Sequence, residues 1–418
     1  MIQHQFSTGG DRARADPFLE LPLIPPIGPD DPAPISTGGD RARADPFLEL
    51  LLIPPPIGSG DPAPISTDSI LLDPFGFISD RENTTTAEAK TSGGHTIRVT
   101  FWPAQPPRVS VCTVYCPGLP NYSFGDFPRI ITTEADLVML RVAICRRGNH
   151  LYPRSNDYFM YKVGNKGPSL DLIASDPDDP KLADNETVLL RCRSRNIYFI
   201  ARLSNRAPSL HEFDIHLYNS KTRTWTTKLM YSSKEFKFVY PSKVITFGGP
   251  LGSVGWVDLW RGILICDLLQ DGRHLRYIPL PLPSVPKVLK GPPSRVRDIV
   301  VIQGKIKFFD MTTYMKLDPK TGYYVPNGWE AATCELDPSK KHQWKDTCAI
   351  KISEVTVSDP THLKMLPNLK EGEEDTEAIL KRLYARCPSL SLHHDGVVYI
   401  ANKLEHQDDK RQWVIAAI

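Results

Sequence analysis

Short runs in which apolar and polar positions alternate dominate the chain, and the densest of them lies between residues 254 and 283. From 254 to 260 the side chains alternate with the period of two that a β-strand requires. The pattern predicts a strand with two sets of side chains on opposite faces: Trp256, Asp258 and Trp260 on one, and Val257 and Leu259 on the other.

Two turns and two further apolar runs follow this strand directly. Arg261-Gly262 is typical of a hairpin turn, because glycine tolerates the positive φ that tight hairpins need. Residues 263–269 predict a second strand, Asp271-Gly272 a second turn, and residues 274–280 a third strand that ends in a proline-rich run. Three antiparallel strands in succession make most of a four-stranded meander.

The same alternation recurs from about residue 70 to the C-terminus, so the sequence predicts an all-β, mainly antiparallel fold. One helix interrupts it, predicted over residues 376–386 with Ile379, Leu383 and Tyr384 on one face and Pro388 as a stop. The other predicted strands are 96–102, 109–115, 137–145, 157–163, 187–192, 196–203, 211–218, 397–400 and 413–416.

A weak repeat favours one all-β architecture. A polar turn that leads into an aromatic residue precedes Trp225, Tyr277, Tyr324 and Trp413, at separations of 52, 47 and 89 residues. Propeller blades repeat every ~40–50 residues, so this spacing predicts a β-propeller-like domain of about six to seven blades over residues 68–418. Tandem β-sandwiches give similar strand spacing and stay open as the alternative.

Residues 1–67 form a tandem duplication that is rich in proline. The sequence at 7–20 recurs unchanged at 36–49, and thirteen of the 67 residues are proline. This composition predicts a disordered segment, because it cannot bury enough apolar surface to offset the loss of chain entropy. A polyproline ligand for a partner and a duplication without function, or a gene-model artefact, all stay open.

Composition narrows the classes of function. The 50 basic and 48 acidic residues give a net charge of +2, so we expect no general attraction to nucleic acid or membranes. No apolar run is long enough for a membrane span, and the first residues lack the features of a secretory signal. The eight cysteines are therefore expected to be reduced, in an intracellular compartment that is cytoplasmic or nuclear.

Several motifs resemble the plant family called "domain of unknown function 1618". They are the tryptophan-rich run at 255–264, the Cys266-Asp267 pair, the run at 276–281, and stretches at 83–87, 106–110 and 389–393. The resemblance covers roughly residues 70–418, with its signature part from about 254 to 418. It implies no catalytic, cofactor-binding or metal-binding residues, and its structural signature is Trp256, Asp258, Trp260, Arg261, Gly262 and Asp267.

The run at 267–283 is also similar to the kelch-like repeats that accompany an F-box, which implies a protein-binding role. The chain offers no segment for the helical F-box itself, since residues 1–67 are too rich in proline. The ubiquitin-ligase part of that resemblance therefore lacks its defining element.

Three groups of residues could carry chemistry, and each has a structural explanation. Asp258 and Asp267 could form the carboxylate pair of a glycosidase, but Asp258 is better explained as a hydrogen-bond acceptor beside two tryptophans. His394 could act as an acid or base, although the Asp-Gly after it is typical of a hairpin turn. Cys112 and Cys116 share one strand face, but a zinc site needs about four ligands.

The sequence therefore predicts a non-enzymatic platform that binds a protein partner, with no cofactor and no metal. The alternative is a hydrolase whose site lies at the propeller opening and uses Asp258 or His394. A third hypothesis is nucleic-acid binding through the alternating Arg191, Arg193 and Arg195, which the balanced charge disfavours.

Overall fold

The computed structural model describes residues 2–5, 70–104, 109–145, 155–164, 167–175, 184–192, 196–206, 208–209, 211–233, 238, 240–281, 291–338, 343–355, 376–392, 396–403 and 412–417. The prediction of an all-β, mainly antiparallel fold is confirmed. The predicted disorder of residues 1–67 lies outside this part of the chain, apart from a short strand near the start. Among the residues described, no helix has the length and apolar composition needed to cross a membrane.

The strands are β1 (Ile2–Gln5), β2 (Ile70–Ile78), β3 (Ala87–Lys90), β4 (Thr96–Trp102), β5 (Val109–Tyr115), β6 (Arg129–Glu134), β7 (Leu137–Ala143), β8 (Asn156–Lys162), β9 (Ser169–Leu172), β10 (Thr187–Cys192), β11 (Ile197–Asn205), β12 (Glu212–Asn219), β13 (Thr224–Tyr231), β14 (Lys243–Gly248), β15 (Ser253–Asp258), β16 (Gly262–Asp267), β17 (Arg276–Pro279), β18 (Arg297–Ile302), β19 (Lys305–Leu317), β20 (Tyr324–Leu336), β21 (Lys345–Lys351), β22 (Tyr384–Leu390), β23 (Val398–Lys403) and β24 (Gln412–Ala417). The described residues also contain one helix, α1 (Thr376–Lys381), and 3₁₀ turns at Asn121–Ser123, Pro293–Arg295 and Ile352–Glu354.

Hydrogen bonds group the strands into sheets that follow one another along the chain. Sheet 3 (β10–β13), sheet 4 (β14–β17), sheet 5 (β18–β21) and sheet 6 (β22–β24) are antiparallel meanders. The strands before them form one path, β3-β4-β5-β2-β6-β7-β8-β9, with β1 parallel to β2. One bridge between Phe75 and Arg129 joins its halves, which we name sheet 1 (β3, β4, β5, β2) and sheet 2 (β6–β9).

Each inner sheet buries both faces against its neighbours in the chain. In β7, Val138 and Leu140 pack into the core between sheets 1 and 2, whereas Leu137 and Met139 pack into the core between sheets 2 and 3. Further cores lie between sheets 3 and 4, sheets 4 and 5, and sheets 5 and 6. Strands of the inner sheets such as β7 thus have apolar side chains on both faces, because a neighbouring sheet covers each face.

The first and last sheets are also in contact, which closes the succession into a ring. Leu71 of β2 shares a core with Cys387 of β22 and Tyr399 of β23. The first strands of sheets 2 to 6 contact one another in order. A pair of β-sandwiches would leave one face of each sheet exposed, so this arrangement favours the propeller-like alternative. The propeller itself stays a prediction.

The helix is shorter than the sequence pattern predicts. It ends at Lys381, and the remainder of the predicted helix belongs to the strand Tyr384–Leu390. Pro388 lies inside that strand, beside a bulge where Cys387 has a φ of 51°, and is not a helix stop. Of the predicted helix face, only Leu383 lies in the core between sheets 5 and 6, together with Leu380 of α1 and Ala385 of β22. The spacing of apolar residues therefore did not show that the chain changes from helix to strand at this point.

The polar turns that predicted a repeat occupy different places in the sheets. Those before Trp225 and Tyr277 lie between third and fourth strands, whereas the one before Tyr324 joins the second and third strands of sheet 5. The turn before Trp413 lies outside the described residues. Their spacing therefore reflects the length of chain in a sheet and not one position in a repeating unit.

Candidate functional site

Trp256, the centre of the predicted signature, holds sheet 4 to sheet 3. The hairpins predicted around it are present, as β15, β16 and β17 pair in succession. Its side chain is 0% exposed and packs in the core between the two sheets. Its indole Nε1 donates a hydrogen bond of 2.7 Å to the main-chain carbonyl of Glu186, just before β10. The residue has a structural role and no access to solvent.

Asp258 closes the turn that follows β15. Its Oδ1 accepts a hydrogen bond of 3.0 Å from the main-chain N–H of Trp260, and its Oδ2 lies 3.1 Å from Nη1 of Arg261. The residue is buried, so these partners compensate the loss of water around the carboxylate. Both oxygens of the Asp258 carboxylate are therefore bound by groups of the turn that follows β15.

Asp267 lies at the other end of the same hairpin. Across β15 and β16 it pairs with Ser253, whereas Asp258 pairs with Gly262. The two carboxylates are thus separated by the length of a six-residue strand, about 17 Å. Glycosidase carboxylates are about 5 to 10 Å apart, so this pair does not have the geometry that a glycosidase requires.

Trp260 lies on the side opposite to Trp256, which corrects the strand prediction. β15 ends before it, and the turn places its ring over Arg297 of sheet 5, with Cζ 4.7 Å from the ring centroid. Arg297 is buried, and it donates hydrogen bonds of 2.9 Å to the Leu259 carbonyl and to Asp310. A buried guanidinium needs such partners, so the cluster locks sheet 4 to sheet 5.

Gly262 is required because the ring of Tyr277 packs closely against it. The prediction that it is needed for a positive φ was wrong. Its φ is outside the left-handed region. A Cβ at this position would lie 2.3 Å from Cε2 of Tyr277. The Tyr277 hydroxyl donates a hydrogen bond of 3.1 Å to the carbonyl of Arg261, so the ring is held over the glycine.

The remaining candidates from the sequence do not come together in the described part of the chain. Cys112 and Cys116 both lie in the core between sheets 1 and 2, where burial raises the pKa of each thiol, that of Cys116 to about 11. Arg191 lies 3.0 Å from Asp136 of sheet 2. His394, Arg193 and Arg195 lie outside the described residues. Within those residues, no three His, Cys, Asp or Glu side chains are grouped as metal ligands.

The hairpin of β19 and β20 projects beyond its sheet, a feature that the sequence pattern did not indicate. Both strands have 13 residues. β18 pairs with β19 only as far as Asp310, and β21 pairs with β20 only from Glu330 onward. Residues 311–317 and 324–329 therefore form a two-stranded extension, which we call the ribbon.

The free end of one ribbon face is apolar and exposed to solvent, whereas Pro326, farther along the same face, is buried. Met315 lies opposite Pro326, and Leu317 lies opposite Tyr324. Alternation along a strand places both pairs on the same face. Leu317 is 56% exposed and Tyr324 67%, while Met315 and Tyr323 are also exposed. Monomeric proteins seldom leave such clusters uncovered unless they contact something, so the ribbon is the candidate binding site.

The turn at the end of the ribbon is structured. Asp318 Oδ1 accepts a hydrogen bond of 2.9 Å from the N–H of Lys320, and Oδ2 accepts one of 2.9 Å from the Thr321 hydroxyl. The N–H of Gly322, whose φ is 72°, donates a bond of 2.8 Å to the Asp318 carbonyl. The exposed side chains are thus presented on an ordered scaffold.

The family resemblance is confirmed over the residues that carry the signature and the ribbon. Residues 256–399 match the family described as "Protein of unknown function (DUF1618)". Over this range the chain is similar to that family. No curated protein matches the chain significantly in sequence.

Several solved structures are distantly similar to the chain. A candidate glycoside hydrolase from Parabacteroides distasonis has 12% identity and a TM-score of 0.27, over 68% of this chain and 84% of its own. A GDP-Man-dependent mannosyltransferase from Leishmania mexicana has 13% identity and a TM-score of 0.21, over 67% and 80%. A levansucrase variant from B. megaterium has 10% identity and a TM-score of 0.25, over 82% and 88%.

Proposed function

We propose that the protein is a non-enzymatic binding platform, in which a β-propeller-like ring of six sheets presents the ribbon to a protein partner. The observation that carries this proposal is the exposed apolar face around Leu317 and Tyr324. The kelch-like resemblance in sheet 4 points the same way by analogy. The partner is a protein, and the site of action is intracellular, in the cytoplasm or nucleus.

The chemistry of the ribbon is that of a protein interface. Tyrosine offers a large apolar surface with a polar hydroxyl, and methionine adapts its shape to the surface that it contacts. Tyr324, Tyr323 and Met315 supply these groups beside Leu317. Residues of these types are enriched at interface centres, where they are covered by the partner.

The two other hypotheses find less support in the described residues. A hydrolase that uses Asp258 would need a free carboxylate, but both oxygens of Asp258 are engaged in its turn. A nucleic-acid binder would need available guanidinium groups. Of the three arginines that this hypothesis uses, Arg191 is paired with Asp136 at 3.0 Å, and Arg193 and Arg195 lie outside the described residues.

Affinity capture with paired variants tests the proposal. The full chain is compared with a double variant, Leu317→Asp with Tyr324→Ser, which makes the apolar face polar. Tyr122→Ser is the matched control, because Tyr122 is 78% exposed and lies on a 3₁₀ turn outside the ribbon. All three proteins should have the same melting temperature, because none of these side chains is buried.

We expect a stoichiometric protein partner to be recovered with the full chain and with the Tyr122→Ser control. The ribbon variant should lose that partner. A partner that the ribbon variant retains would contradict the proposal, as would the recovery of none. A small molecule recovered without any protein would favour an enzyme instead.

A further inference from the structure

The ribbon has an open strand edge as well as an apolar face. Between described residues, the last backbone bond on that side of β19 runs from the Met311 N–H to the Val296 carbonyl, at 2.9 Å. Beyond it, no strand among the described residues pairs with this edge of β19. An open edge beside exposed apolar side chains is a template for an added strand.

The N-terminal part of the chain contains one segment with the composition of such a strand. Residues 47–53 read Phe-Leu-Glu-Leu-Leu-Leu-Ile, are followed by three prolines, and lie outside the described residues. The corresponding segment of the first copy, residues 18–24, has Pro22 where the second has Leu51. Proline cannot donate to a strand ladder, so only the second copy has an unbroken run of seven donors.

We propose that residues 47–53 of the chain add to the open edge of β19 as a strand and cover the apolar face of the ribbon. This inference rests on the proposed function, because the segment would occupy the surface assigned to the partner. The two would then compete, and the partner would bind only where it displaces the segment. The occupant is thus part of the same chain, extended and apolar.

The connection is long enough for this pairing within one molecule. Residue 53 is separated from the start of β2 at Ile70 by a stretch that spans up to about 55 Å when extended. A domain of this size has a radius of gyration of about 20 Å, so that stretch reaches any sheet. A tethered segment acts at an effective concentration in the millimolar range, which favours it over a separate molecule.

Hydrogen exchange of the full chain, followed at the amides of residues 312–317, tests the inference. Leu51→Pro recreates the residue of the first copy and should speed exchange there by about tenfold, since the added strand loses a donor and is displaced. The matched control is Leu21→Pro in the first copy, which should leave exchange unchanged. The described domain is not altered in either variant.

Three results would overturn the inference. The first is that Leu51→Pro leaves exchange unchanged, and the second is that both variants accelerate exchange equally. The third is that protection declines on dilution, which would mean that a second copy of the chain covers the ribbon. The capture experiment separates this outcome from the proposed function. If Leu51→Pro has no effect on exchange while Leu317→Asp with Tyr324→Ser loses the partner, the inference fails and the proposed function stands.

Discussion

Leu317 and Tyr324 face each other across the free end of the β19–β20 hairpin, and more than half of each side chain is exposed. Neighbouring sheets bury apolar side chains in six shared cores in the described residues, and neither Leu317 nor Tyr324 belongs to any of them. The pair therefore marks apolar surface that folding does not cover. Its position on an ordered hairpin is the basis of the binding role proposed above.

Trp256 should be among the most sensitive positions for stability. Trp256→Ala removes a fully buried ring and leaves the Glu186 carbonyl without its donor. We expect a loss of about 3–5 kcal/mol in the free energy of unfolding, measured by urea denaturation. Trp256→Phe keeps most of the ring and should cost less. A loss below about 1 kcal/mol for alanine would contradict the buried position.

Replacing Arg223 with glycine should stabilise the protein. Its turn repeats that of Gly322, since in both the fifth residue donates a 2.8 Å backbone bond to the carbonyl of the first, Asn219 or Asp318. Arg223 has a φ of 59° and Gly322 one of 72°, and this region is costly for a residue with a Cβ.

Arg223→Gly is therefore expected to stabilise the protein by roughly 0.5–1 kcal/mol, and Gly322→Arg to destabilise it by a similar amount. The ion pair of Arg223 with Asp171, at 3.7 Å, is largely exposed and adds little. Thermal unfolding of the two variants provides the measurement. Destabilisation by Arg223→Gly would contradict the backbone argument.

Asp73 should make stability depend on pH. Burial raises the pKa of its carboxyl from 3.8 to about 7, although a hydrogen bond from the Phe75 N–H acts in the lowering direction. Between these values the folded protein retains a proton that the unfolded chain has released. Stability should therefore fall as pH rises from about 4 to 7, by up to about 1.4 kcal/mol per unit, and level off above.

Asp73→Asn should remove this slope, because the amide stays neutral and its oxygen can still accept the Phe75 bond of 2.9 Å. Urea midpoints of both proteins at pH 5, 6, 7 and 8 provide the comparison. The urea midpoint of the variant should rise relative to that of the parent protein as pH increases from 5 to 7. Parallel curves for the two proteins would show that Asp73 does not titrate in this window.

Gly262 and Tyr277 should show strong energetic coupling. Gly262→Ala places a Cβ against the Tyr277 ring and should lower the free energy of unfolding by about 1–3 kcal/mol. In a Tyr277→Ala background the same change should cost much less, because the ring is gone. A double-mutant cycle measures the difference, and additive effects would contradict the contact.

Local patterns predicted much of sheet 4, and long-range contacts decided the rest. Alternation and the Arg261-Gly262 turn were sufficient for the β15–β16 hairpin, because both act within a few residues. The side on which Trp260 lies depends on Arg297, and the need for glycine depends on Tyr277. Neither partner can be identified from spacing along the chain.

The ribbon illustrates the same limit. Residues 311–317 alternate like any other strand, and their exposure follows from where β18 and β21 end. The only feature of the sequence that could have indicated the ribbon was the unusual length of the alternating run, with apolar residues at its end. Conversely, the predicted helix at 376–386 was too long because a short helix and a strand can bury one continuous set of apolar side chains.

Photocrosslinking from the ribbon tests the central claim most directly. A photoreactive phenylalanine replaces Tyr324 in one protein and Tyr122 in another, and each is irradiated with the captured partner present. The account predicts a crosslink to the partner from position 324 and none from position 122. A partner that crosslinks from position 122, or that is captured but never crosslinks from position 324, would contradict the ribbon as the binding surface.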